Sequence, residues 1–194
     1  MSALTLRTHA WLRPMEGLTA CGDATVTLVG DGWQLAAVID ALGHGPDAAA
    51  SAEVAVQTLV AGVGQPLVSL FDSVHHALAR KRGVVMSAVL LEGDAASFAG
   101  VGNVEFFGPA GVSRPVTMAG TLGGGTYRFR SFPLPLAAGQ RWALVTDGIK
   151  ARDGATLFAA HGALPGADLA ELLVAQAGRG HDDVGVLVID VEAA

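Results

Sequence analysis

The chain has 194 residues, 51% of them apolar, a single cysteine and a formal charge of −6. A chain of that length builds one core that buries roughly 70% of its unfolded surface, so residues 1–194 read as one domain. The acidic balance argues against nucleic acid, which rewards a basic stripe, and no apolar run reaches the roughly 18–20 residues that span a bilayer.

In chain order, residues 4–12 and 24–30 read as strands. Asp31-Gly32 is a type I′ hairpin signal leading into a third strand, Trp33 to Ile39. Pro46 opens a helix, with Asp47 favourable to its dipole, and Ala52, Ala55, Val56, Leu59 and Val63 recur along it at helical spacing. A second helix follows Pro66, with Leu67, Leu70, Phe71, Val74 and Leu78 on one face. It ends in Arg80-Lys81-Arg82-Gly83, cations in the last turn and a glycine just beyond. His75 and His76 fall off its apolar stripe and read as solvated. From there the strand signal returns over 84–91, 95–101, 104–107, 112–118, 127–132 and 141–146, punctuated by Gly, Asp, Asn or Pro. One more helix, carrying Leu169, Leu172 and Leu173, precedes the last strand, Val184 to Val191. Strands, a helical pair and then a meander make an α+β layout, not βαβα alternation.

Four aspartates stand at turns beside apolar runs: Asp23 after Gly22, Asp40 after Val38-Ile39, Asp147 after Leu144-Val145-Thr146, and Asp182 ahead of Val184. A carboxylate at a strand end sits at the edge of a sheet, where the backbone is rigid and the side chain reaches water. Such groups, converging, repel one another unless hard cations lie between them, and an all-oxygen donor set suits magnesium or manganese. Each motif alone has a plainer reading as a solvated turn; Asp31-Gly32 and Asp153-Gly154 are ordinary turns of that kind. Cys21 invites comparison with cysteine phosphatases, but those need an arginine six positions on, and Thr27 stands there; Cys21 reads as a small buried hydrophobe. Leu122-Gly123-Gly124-Gly125 lacks the Lys-Ser/Thr of a P-loop, and Gly100-Val101-Gly102-Asn103-Val104-Glu105 lacks the last glycine of a dinucleotide fingerprint. No arginine is evident beside the aspartates, Arg7 and Arg13 being the only early candidates. His44 could hand a proton to a leaving serine or threonine oxygen, the usual service of an imidazole near neutral pH; a plain loop histidine is the competing reading.

In order and local wording these motifs resemble the metal-dependent protein phosphatases of the 2C type, in the bacterial branch of SpoIIE, RsbU and RsbX. The family's Asp-Gly-x-Gly-x-Gly is matched by Asp40-Ala41-Leu42-Gly43-His44-Gly45, with Ala41 replacing the first glycine. Its Gly-Asp is matched by Gly22-Asp23, its Ser-Asp-Gly by Thr146-Asp147-Gly148, and its closing Asp-Asp by Asp182-Asp183. The resemblance implies a four-layer α-β-β-α sandwich of two antiparallel sheets flanked by helices. It also implies two Mn²⁺ or Mg²⁺ ions sharing Asp40 and held by Asp23, the Ala41 carbonyl, Asp147 and Asp182, with Asp183 bracing its loop. The implied reaction is hydrolysis of phosphoserine or phosphothreonine by an activated water attacking in line, with Asp40 at its centre.

The short chain leaves no room for a sensor domain, which is similar to the stand-alone stressosome phosphatases of this branch. The partners implied are phosphorylated STAS-domain proteins, with no nucleic acid and no membrane, and the enzyme is expected to be a monomer. The first residues lack a signal peptide's basic-then-apolar layout and a lone cysteine fits a reducing compartment, so the expected location is the cytoplasm. Two alternatives remain open on the residues: a non-catalytic phosphatase-like binding module, and a metal-dependent phosphoesterase acting on small metabolites.

Overall fold

The computed structural model describes residues 3–125 and 128–194. One sheet runs in the order β1 (Leu4–Arg13), β9 (Val184–Ala193), β8 (Arg141–Val145), β6 (Glu105–Phe107). The other runs β2 (Asp23–Gly30), β3 (Trp33–Ala41), β4 (Val84–Glu92), β5 (Ala95–Val101), β7 (Phe132–Pro133). Every pairing between these strands is antiparallel. Helices α1 (Pro46–Ala61) and α2 (Leu67–Ala77) cover the outer face of the second sheet, while α3 (Ala151–His161) and α4 (Gly166–Ala177) cover that of the first. The chain is thus the expected α-β-β-α sandwich.

Strand periodicity explains the layers. In β3, Leu35, Ala37 and Ile39 face α1 and α2, whereas Ala36 and Val38 face the opposite sheet. In β9, Val184, Val186 and Val188 pack under α4, and Leu187, Ile189 and Val191 fill the space between the sheets. Both faces of each central strand are covered, so the strands read as continuous apolar runs with no polar alternation. Trp142, 1% exposed, stacks against Phe106 at the middle of the sandwich.

Several local expectations are corrected. Residues 112–118 are not a strand: only Met118 bridges to Val101, because Pro115 removes a donor and the neighbouring turn residues interrupt pairing. Of the strand expected over 127–132, residue 127 lies outside the described residues, and the paired segment is Phe132–Pro133. α3 was missing from the sequence reading. Its interior Gly154 is disfavoured in helices, yet it is buried where a Cβ would press 2.7 Å from an Ile149 methyl and 3.1 Å from the Phe107 ring. Asp153 therefore lies in a helical first turn, not in a loop. The Asp31-Gly32 turn joins β2 and β3 as a two-residue loop, but only Gly32 has positive φ (+75°), so it is not type I′. Val63 lies past the end of α1 and is exposed. His75 is half-buried, accepting the Gly123 N–H at 3.1 Å and packing against the Phe129 ring.

Candidate active site

The β2–β3 register sets Asp23 directly opposite Asp40, and facing residues in a ladder hold their Cβ atoms about 5 Å apart. Asp23 is only 5% exposed. Its Oδ2 accepts a hydrogen bond from Thr146 Oγ1 at 2.7 Å, and the same hydroxyl accepts the Gly185 N–H at 2.8 Å. Thr146 thereby stitches the β8 end of one sheet to the β2 edge of the other. Replacing it with valine is expected to cost about 1–3 kcal/mol, since it strands a buried N–H and a buried carboxylate together. Urea unfolding of Thr146→Val beside Thr146→Ser checks this: equal stability of the two would show that the hydroxyl contributes nothing.

Asp40 is the penultimate residue of β3, and after Ala41 the chain passes through Gly43 (φ +86°) and Gly45 (φ +77°) into α1. Both angles lie where L side chains are strained. Ala41 needs no such freedom: no non-glycine residue among those described has positive φ. The alanine at the family's first glycine position is therefore accommodated without strain, its N–H donating to the Gly22 carbonyl at 3.1 Å. His44 stands exposed on this turn. Gly22 has its own reason to be glycine, because a Cβ there would lie 2.8 Å from Ala48 Cβ and 3.1 Å from an Asp183 carboxylate oxygen.

Asp147 is exposed just beyond β8, and Asn103 Nδ2 donates to its Oδ2 at 2.8 Å. Asp182 is half-buried, and its Oδ1 accepts the Asp183 N–H at 3.0 Å. Asp183 points the other way. It is 3% exposed, and its carboxylate accepts the Met15 N–H at 2.8 Å and the Gly22 N–H at 2.7 Å. That makes it a brace between the β9 approach and the β1–β2 connection.

The carboxylates feel one another. Burial, then the Asp40 charge, push Asp23 up to about 8 against the pull of the Thr146 hydrogen bond. Asp40 is raised to about 7 by burial, followed by Asp147, Asp182 and Asp183. Asp182 is raised by burial and then by Asp147. Cys21 is pushed up to about 12, chiefly by burial, so its thiol stays protonated. Among the described residues no three His, Cys, Asp or Glu side chains gather closely enough to grip one ion. The carboxylates lie within one another's field without closing on a point, the arrangement that mutual repulsion favours. Their donor set is all oxygen and strongly anionic, which fits hard divalent cations.

The sequence reading missed three residues here. Asn103 was seen only as part of a failed dinucleotide pattern; Gly102 (φ +92°) turns the β5–β6 connection so that it reaches Asp147. Arg179 donates from Nε to the Asp147 carbonyl at 3.1 Å. Arg82, read as a helix-ending cation, lies across the Gly43 turn, donating to the Leu42 carbonyl at 3.4 Å and to Asp47 at 3.1 Å. Of the early candidates, Arg7 pairs with Glu192 at 3.4 Å on the surface, and Arg13 donates from Nη2 to the Arg179 carbonyl at 2.7 Å.

No protein-family model matches the chain. Over 144 residues it is 28% identical to the phosphoserine phosphatase RsbX of Bacillus subtilis (strain 168), covering 71% of this chain and 72% of that one. A chain solved in work on the bacterial stressosome as a modular system adapted to control secondary messenger signalling is 30% identical. It superposes with a TM-score of 0.83 over 95% of this chain and 99% of the other. RsbX solved in complex with magnesium superposes with a TM-score of 0.84 at 21% identity, over 99% and 100% of the two chains. With the α-β-β-α sandwich and the aspartates gathered at one end of it, the chain belongs to the metal-dependent protein phosphatases of the 2C type, in the branch that contains RsbX.

Proposed function

We propose that residues 1–194 form a catalytic domain that removes phosphate from serine or threonine of STAS-domain regulators, in a stressosome or sigma-factor partner-switching pathway. The observation that carries this reading is that Asp23 and Asp40, paired across one ladder, share an electrostatic field with Asp147 and Asp182 from the facing sheet. Likeness to a phosphoserine phosphatase supports the choice of substrate, and the magnesium held by a structural relative supports a hard cation. In this reading Asp40, Asp23, the Ala41 carbonyl, Asp147 and Asp182 hold two Mn²⁺ or Mg²⁺ ions. Such ions supply Lewis acidity and a strong oxygen nucleophile at neutral pH. The chain's own contribution is positional. Thr146 fixes Asp23, Asn103 orients Asp147, and Asp183 ties down the loop that carries Asp182. His44, exposed on the Asp40 turn, is assigned the proton delivered to the departing serine oxygen.

Substrate selection falls to the surface around this end. Leu122 bridges to Val84, which pairs with Ala41, and Met118 bridges to Val101 close to Asn103. The stretch from Met118 to Leu122 therefore borders the site, Val116 just before it is 71% exposed, and Leu42 on the Asp40 turn is 46% exposed. Exposed apolar side chains of this kind suit a folded protein partner. An intact STAS-domain phosphoprotein is expected to show a kcat/KM at least about tenfold above a matching phosphopeptide, because remote binding energy is lost with the docking surface. Equal values for the two would argue for a general phosphatase.

A further inference from the structure

We propose that Arg82 is a positioning residue that holds the Asp40 turn in its cation-binding shape, an inference that rests on the reading of Asp40 and the Ala41 carbonyl as cation ligands. The turn from Ala41 to Gly45 carries two glycines at positive φ and little side-chain bulk to fix it. Its restraint comes from the junction between α2 and β4. The Gly83 carbonyl accepts the Leu42 N–H at 2.9 Å, while Arg82 Nη1 donates to the Leu42 carbonyl at 3.4 Å. The peptide units on both sides of Leu42 are thus gripped by adjacent residues of one segment. Arg82 Nη2 reaches on to Asp47 in the first turn of α1 at 3.1 Å, so one guanidinium spans the turn from its start to the helix beyond. The guanidinium lies directly over Gly43, where a Cβ would come within 2.7 Å of Nη1. A planar fork with several donors can make both contacts at once; an ammonium makes one or the other.

The sign of the expected effect separates positioning from simple charge. Arg82 is a cation on the turn that follows Asp40, so removing it makes this end of the molecule more anionic, and Coulomb attraction alone would then tighten a divalent cation. Positioning predicts the reverse. Mn²⁺ binding to the full chain is measured by calorimetry and by the loss of free-Mn²⁺ electron paramagnetic resonance signal, for wild type, Arg82→Ala and Arg82→Lys. Both variants are expected to bind Mn²⁺ about tenfold more weakly, the low end for losing a group that orients a metal ligand. At saturating Mn²⁺ their kcat on p-nitrophenyl phosphate should stay within a few-fold of wild type. Circular dichroism melts verify folding, and Arg82→Lys keeps the test valid if the alanine variant unfolds. Unchanged or tighter Mn²⁺ binding in Arg82→Lys overturns the proposal. A rise in the inhibition constant of inorganic phosphate with Mn²⁺ affinity intact also overturns it, making Arg82 a substrate contact instead. Wild-type protein that neither binds Mn²⁺ nor hydrolyses phosphoesters would instead sink the phosphatase reading itself.

Discussion

Asp40→Asn and Asp147→Asn are each expected to lower kcat on p-nitrophenyl phosphate by on the order of a thousandfold, the scale of removing one electrostatic element from a preorganised site. The fold should survive. Asp40 sits near the end of β3, half-buried and opposite the buried Asp23, so the change removes a repulsive charge instead of opening a cavity. Its metal-free form should be no less stable than wild type, and at alkaline pH more so. Asp147→Asn leaves an amide that can still meet Asn103 after rotation, and the position is exposed. Two controls bracket the result. Asp31 is exposed in the β2–β3 hairpin, and Asp153 is exposed in the first turn of α3, where its loss removes only a dipole interaction of about 0.3–1 kcal/mol. Steady-state rates and melting temperatures for all four variants decide the point. Equal loss of activity in Asp31→Asn and Asp40→Asn would erase the distinction between site and turn.

A second large effect concerns pH. Asp23 rises from 3.8 to about 8 and Asp40 from 3.8 to about 7 on folding without cations. Folded values above unfolded ones mean that the folded state holds extra protons. The associated stability is fully present below about pH 4 and is lost as pH climbs toward 8, the reverse of a salt-bridged carboxylate. At roughly 1.4 kcal/mol per unit, these two groups place a swing on the order of several kcal/mol between pH 5 and pH 8.5. Divalent cations that replace those protons should flatten the profile, stabilising most at the alkaline end, where binding to the folded state alone adds RT ln(1 + [L]/Kd). Thermal melts of stripped protein at pH 5, 6.5 and 8, with and without Mn²⁺, test both halves. A metal-free melting temperature that is flat or rising across that range contradicts the cluster's electrostatics.

How much of this was legible in the sequence depends on what each residue touches. The apolar runs 33–39, 84–91 and 184–191 announce central strands because both of their faces are buried, and helix spacing announces α1, α2 and α4. α3 was not legible. Its apolar content is sparse and Gly154 sits in its first turns, a penalty overridden by close packing against Phe107 and Ile149. The 112–118 segment fails in the opposite sense, since β-formers such as Val112 and Val116 find no partner strand. At the site, the four aspartates are local signals at strand ends and could be read directly. Asn103, Arg82 and Arg179 could not, because each acts across 32 to 44 residues of sequence, through contacts that only the register and the helix ends create. Thr146 was visible as a stand-in for the family's serine, but its role in joining the two sheets exists only in three dimensions.

The most direct test of the central claim is phosphate release from a STAS-domain phosphoserine protein by protein stripped of metal, titrated with Mn²⁺ and then with excess EDTA. No release before addition, saturable turnover with Mn²⁺, its loss in EDTA and its absence in Asp40→Asn are the results predicted from the oxygen-only cluster. Full activity of the stripped protein in excess EDTA would contradict it.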